Sequence, residues 1–255
     1  MLARTDTRRR FTVTLAMLIV VAWLALTMWS LSPYARYLNH KVLEEAHFAL
    51  SVEYLTLLSI FLSGWVLMTV AMMLPTSLPL IALFLRMTRR RPDQTRLAVL
   101  LVVGYLAIWT TFGIVAHVGD LFIHAAAHQF AWLEANAWAI SAGVLALAGF
   151  YQFSPLKYAC LDACRSPLSF VAERWHGQGE SRSAFRLGVQ HGLFCLGCCW
   201  SLMLLMFALA CGNIAWMLAL GAVMAVEKNV TWGRRISAPL GVVLLAASAL
   251  VMLAG

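Results

Sequence analysis

The sequence predicts an all-α fold, a polytopic bundle of about seven transmembrane helices, and three observations carry that prediction. Of the 255 residues, 62% are hydrophobic and 12% are charged, where soluble domains carry roughly a quarter charged. Too little polar side chain is present to coat a water-soluble globule of this size. Separate apolar runs reach the ~20 residues that a helix needs to cross hydrocarbon. The cations gather in the short polar segments between those runs, where the positive-inside bias puts them. The formal charge of +8 therefore reads as topology and not as a nucleic-acid footprint, and the partner it implies is the lipid bilayer. A single integral membrane domain, 1–255, accounts for the chain and leaves no segment for a soluble catalytic domain.

The runs, in order, are Phe11–Leu31, Leu55–Leu85, Leu97–Val118, Ala137–Phe153, Leu187–Ala210, Asn213–Val226 and Ile236–Ala254. Arg8, Arg9 and Arg10 before the first run resemble the start of a signal peptide, but the run is long and lacks an A-x-A cleavage site, so it reads as a retained helix. The second run is overlong and holds Pro75 and Pro79. Each proline lacks the N–H of an i→i−4 bond, so this helix is expected to kink, tilt or break near its inner end. The fourth and sixth runs are the shortest.

The loops set the orientation. Segment 86–96 carries Arg86, Arg89, Arg90, Arg91 and Arg96 against Asp93 alone, which places it in the cytoplasm together with 154–186 and 227–235. Segments 32–54 and 119–136 then face the periplasm, the N-terminus is cytoplasmic and the C-terminus periplasmic, as for a multi-pass protein of a bacterial inner membrane. His40, His47, His124 and His128 gather on the outer side with Glu44, Glu45, Glu53, Asp120 and Glu134. Most of the cysteines fall in the membrane or on the cytoplasmic side, where thiols stay reduced, so they are read as thiols and not as a disulfide framework. Glu227, at the end of the sixth run, is expected to pair with Lys228, Arg234 or Arg235.

Four groups of residues have the donor chemistry of a metal site. In the fifth run, with Cys195 at zero, helical winding puts His191 at about −40°, Cys198 at about −60°, Cys199 at about +40° and Met206 at about +20°. Thiolate, thioether and imidazole along one stripe suit a soft ion such as Cu(I), and also zinc; cysteine and methionine are equally ordinary buried residues of a bundle. In the second run Met68 and Met72 share a narrow arc with Pro75 and Pro79, and Met73 lies off it. Cys160 and Cys164, four apart in the 154–186 loop, lie on one side of a short helix and can give two sulfurs to one ion, form a redox pair, or pack against the bundle. On the outer side His117, Asp120, His124 and His128 follow an i, i+3, i+7, i+11 spacing. Neighbours in that series can share zinc or Cu(II), though His117 and His128 would stand about 16 Å apart along a helix; they also fit a polar interfacial helix facing water.

Several short motifs occur together: Ala71-Met-Met-Leu-Pro75, Gly104-Tyr105 with Trp109, Tyr151-Gln-Phe-Ser-Pro-Leu-Lys157, Cys160-x-x-x-Cys164-Arg165-x-Pro167, Gly192-x-x-Cys195-x-Gly-Cys-Cys-Trp200 and Glu227-Lys228. From about Trp65 to Lys228 the chain resembles the bacterial DUF2182 family of predicted metal-binding integral membrane proteins, some of which carry the label copper chaperone. The resemblance implies a soft-metal protein without supplying a mechanism. The expected function is to bind a transition metal, copper first and zinc second, and to pass it to or from a periplasmic or membrane metalloprotein. Cys195, Cys198, Cys199 and His191 would be the intramembrane ligands, Cys160 and Cys164 a cytoplasmic exchange point, and the outer histidines a capture or delivery point. No nucleophile and base pair and no cofactor fingerprint points to an enzyme. Two other classes stay open. One is a metal-containing subunit of a membrane oxidase or monooxygenase, with metal at Asp120, His124 and His128; the other is a metal-free assembly subunit of a membrane complex.

Overall fold

The computed structural model describes residues 2–32, 52–127, 129–130, 132–133, 136, 138–175, 180–208 and 213–254. The expected ligand His128, the side chain of His124 and most of the 32–54 loop lie outside the described residues. Among the described residues all regular structure is helical: α1 (Leu2–Ser30), α2 (Val52–Met72), α3 (Leu74–Met87), α4 (Gln94–Ala127), α5 (Trp138–Tyr151), α6 (Pro155–Arg165), α7 (Pro167–Arg174), α8 (Glu180–Ala208), α9 (Ile214–Asn229), a 3-10 turn (Gly233–Ile236) and α10 (Ser237–Ala254).

Five segments are long and apolar enough to cross a bilayer: Arg9–Ser30, Tyr54–Met72, Gln94–Ile123, Glu180–Met206 and Gly233–Ala254. A sixth arises if α5 and α6, bent by 64° at their junction, form one broken span. Of the seven expected crossings the structure thus supplies five or six. The remaining run forms α9, whose 16 residues extend about 24 Å at 1.5 Å per residue, short of the ~30 Å of hydrocarbon. The overlong second run breaks at Met73 into α2 and α3, with Pro75 in the first turn of α3, where its missing N–H does least harm. The hydroxyls of Tyr105, Thr76 and Ser77 converge on the Met73 carbonyl, at 3.3, 2.7 and 3.5 Å, the side-chain satisfaction that a broken helix needs in an apolar setting.

More than half of the α8 span, 56%, is buried, against 17% for α1 and 22% for the last helix. The central helix is therefore α8, while α1 and α10 turn apolar side chains such as Val20, Leu24, Val243 and Leu250 outward, compatible with lipid contact. Close packing of α8 on α4 depends on glycine: a methyl group at Gly188 would overlap the Leu101 carbonyl, and one at Gly104 the Phe185 carbonyl. Small residues let backbones approach where no side chains intervene. Along the other sides of α8 lie α5 and α6, and α9 packs against α3, α6 and the 3-10 turn.

Candidate metal site

The cysteine stripe of α8 is buried. Cys195, Cys198 and Cys199 are all 1% exposed or less. Cys198 and Cys199 both donate their thiols back to the Cys195 carbonyl, at 3.1 and 2.8 Å, which holds the two side chains along the helix surface. The neighbouring elements complete a pocket. From the α2–α3 break Met73 places its Sδ 3.7 Å from the Cys199 thiol, and from α4 the Tyr105 hydroxyl lies 3.0 Å from Cys195 Sγ. Lys228, at the end of α9, points its ammonium into the middle. Its Nζ lies 3.0 Å from Cys195 Sγ, 3.6 Å from Cys199 Sγ, 3.9 Å from Met73 Sδ and 3.2 Å from Thr76 Oγ1.

The cysteines of α6 approach the same stripe from its other side. Cys164 lies near enough to Cys198 for the two thiols to influence one another, and Cys160 lies so close over Gly197 that a methyl group there would overlap its sulfur. Local sequence sets this approach: Ser154 caps α6 by accepting from the Leu156 N–H at 3.2 Å, and Pro155 starts the helix at a position that needs no donor. His191 stands beside the pocket. One ring nitrogen, Nε2, is 3.0 Å from Ser77 Oγ, the ring stacks on Tyr105 at 5.5 Å, and Phe170 meets it edge-on at 5.7 Å. Met206 is buried on α8, seven residues and so about 10 Å along the axis from Cys199. Met72 faces α9, where it packs over Gly221. Among the described residues no group of three or more histidine, cysteine, aspartate or glutamate side chains stands arranged to hold a metal ion; an ammonium stands among the sulfurs.

Far along α4, His117 is 1% exposed. Its Nε2 pairs with the Tyr54 hydroxyl at 3.2 Å, and its ring packs on Phe61 at 5.3 Å. Asp120 is half-buried one turn on, and α4 continues to Ala127, so the helix carries the series past the expected membrane edge as far as His124.

The expected pairing of Glu227 with its near neighbours is overturned. Its carboxylate binds Lys157 Nζ of α6 through both oxygens, at 2.9 and 3.0 Å, and accepts from Ser237 at 2.6 Å. Lys157 also donates to Gln152, and Arg165 donates to the carbonyls of Glu227 and Thr231. The reason is burial: a carboxylate out of water needs a cation equally out of water, and Lys157 is fully buried. Arg234 instead pairs with Asp162 at 3.1 Å and lies over the Tyr158 ring.

Reading along the sequence missed Met73, Tyr105, Thr76 and Lys228 as neighbours of the sulfurs. A signal was present in the adjacency of Glu227 and Lys228, since consecutive helical residues diverge by about 100° and cannot share one partner. A family model described as PpoB2, copper chaperone, matches residues 62–251, a stretch that contains every residue of the pocket and of the ion-pair network. Comparison with curated proteins gives no match, and comparison with solved structures gives none either.

Proposed function

Because the chain belongs to the family described as PpoB2, copper chaperone, we propose that it is a membrane copper-handling protein that holds Cu(I) in the α8 sulfur pocket and exchanges it with a partner. The observation that carries this reading is the convergence of Cys195, Cys199 and Met73 sulfurs within 3.9 Å of one point, the Lys228 nitrogen. Two thiols and a thioether in a dry setting are donors that Cu(I) prefers, with zinc as the second fit. Cys198 is the neighbour of Cys164 on α6, and Cys160 lies over Gly197, so the thiols of α6 stand next to those of α8. In this reading α6 is the cytoplasmic exchange point, His191 is a wall residue anchored on Ser77, and His117, Asp120, His124 and His128 are a periplasmic capture point. The partner is a periplasmic or membrane metalloprotein, and the seat is the inner membrane with seven crossings.

The test is elemental analysis of the full-length protein purified with Cu(I) under reducing conditions. Replacing Cys195, Cys198 and Cys199 with serine is expected to abolish stoichiometric copper. Met73→Leu is expected to weaken Cu(I) binding more than Met72→Leu does, because Met73 faces the thiols and Met72 faces α9. Copper retained in full by the triple serine variant would sink the reading.

A further inference from the structure

The position of Lys228 has a consequence for any ion that uses this pocket. An ammonium and Cu(I) each carry one positive charge, and the sulfurs that would ligate the ion are the acceptors that the ammonium now uses, at 3.0, 3.6 and 3.9 Å. The ammonium nitrogen stands at the point among the three sulfurs that the ion itself would take, and until the thiols ionise two positive charges there also repel each other, the more steeply as the dielectric falls. The carboxylate next in the chain offers no relief, because Glu227 is committed to Lys157 and Ser237 on another side of α9. The backbone at this point is also pinned, with Arg165 gripping the Glu227 and Thr231 carbonyls. What remains free to move is the four-carbon side chain.

Resting on the copper reading, we infer that Lys228 and Cu(I) occupy the sulfur pocket by turns, so that Lys228 is a built-in competitor that keeps the ion transferable. When the ion enters, the hydrogen bonds from Nζ to Cys195 and Cys199 break, copper–sulfur bonds form, and each ligating thiol gives its proton to solvent. When the ion leaves, the thiols take protons back and the ammonium returns. A site occupied by its own competitor shows an apparent affinity reduced by the fraction of time the competitor is out. That reduction favours handover above storage.

The experiment compares the unaltered full-length protein with Lys228→Met and Lys228→Gln in detergent, using Cu(I) buffered by a chromogenic chelator under anaerobic reducing conditions. Both variants are expected to bind Cu(I) about tenfold tighter or more, and to return it to the chelator more slowly by a similar factor. Lys228→Gln keeps an N–H for Thr76, so the comparison survives if Lys228→Met folds poorly. Binding equal to or weaker than that of the unaltered protein in both variants would overturn the alternation and leave the copper reading standing. Failure of the unaltered protein to bind Cu(I) at all would end both.

Discussion

At the scale of single residues, the molecule separates two neighbours that a linear reading joins. Glu227 and Lys228 leave α9 about 100° apart, one into an ion pair with Lys157 and the other into the sulfur pocket. The side chains of Lys157 and Glu227 are 0% and 2% exposed, and breaking so deep a pair leaves an uncompensated charge that costs about 3–5 kcal/mol. Lys157→Met is therefore expected to lower the thermal midpoint sharply in detergent, while Lys157→Met with Glu227→Met recovers much of the loss, because no lone charge remains. A double variant no more stable than Lys157→Met would show that the pair is not the source of the effect. The chain conceals this contact because its partners are 70 positions apart. What was legible was the winding of one unbroken helix, which put Cys195, Cys198 and Cys199 on a common stripe.

At the scale of helices, the same arithmetic put Met72 on the proline arc and Met73 off it, and left open which of those faces meets the sulfurs. Met73 keeps helical dihedrals and its N–H bonds the Thr69 carbonyl at 2.8 Å, so it stands about 100° from Met72 and turns to the thiols while Met72 faces α9. The proline announced a break; the direction of the second helix depends on what the break packs against. Packing of α4 on α8 is the element that fixes the pocket, since α4 brings Tyr105 and α8 brings Cys195. Gly188→Ala would force its methyl group into the Leu101 backbone carbonyl, which cannot yield as a flexible side chain can, and overpacking of this kind costs about 1–3 kcal/mol. Gly143→Ala on α5 adds its methyl group to open space and is expected to be neutral or slightly stabilising through helix propensity. Equal thermal shifts for the two variants would remove the close crossing as the organising contact.

At the scale of the whole molecule, composition announced the long apolar helices, which are compatible with a membrane protein, and the number of crossings was harder to read for a reason that the interior explains. Two of the shorter helices, α5 at 14 residues and α9 at 16, both finish on the buried network: α5 runs directly into Gln152, and α9 carries Glu227 in its last turn. The last helix starts from the same place, since Ser237 donates to Glu227. Backbone and charge at these ends are satisfied inside the protein instead of by water, a condition under which helix breaks are tolerated at membrane depth. A bent pair can count as one crossing, as α5 with α6 does at its 64° junction, and the proposed seven crossings count α9 as well. In that proposal the number of crossings is odd and the two termini lie on opposite sides. Fusing alkaline phosphatase to the C-terminus is expected to give active enzyme, because it folds in the periplasm, while a cytoplasmic reporter in the same place stays silent. The reverse pattern would mean an even count. The crossing to remove would then be α9, and with it the idea that Lys228 enters the sulfur pocket from a spanning helix.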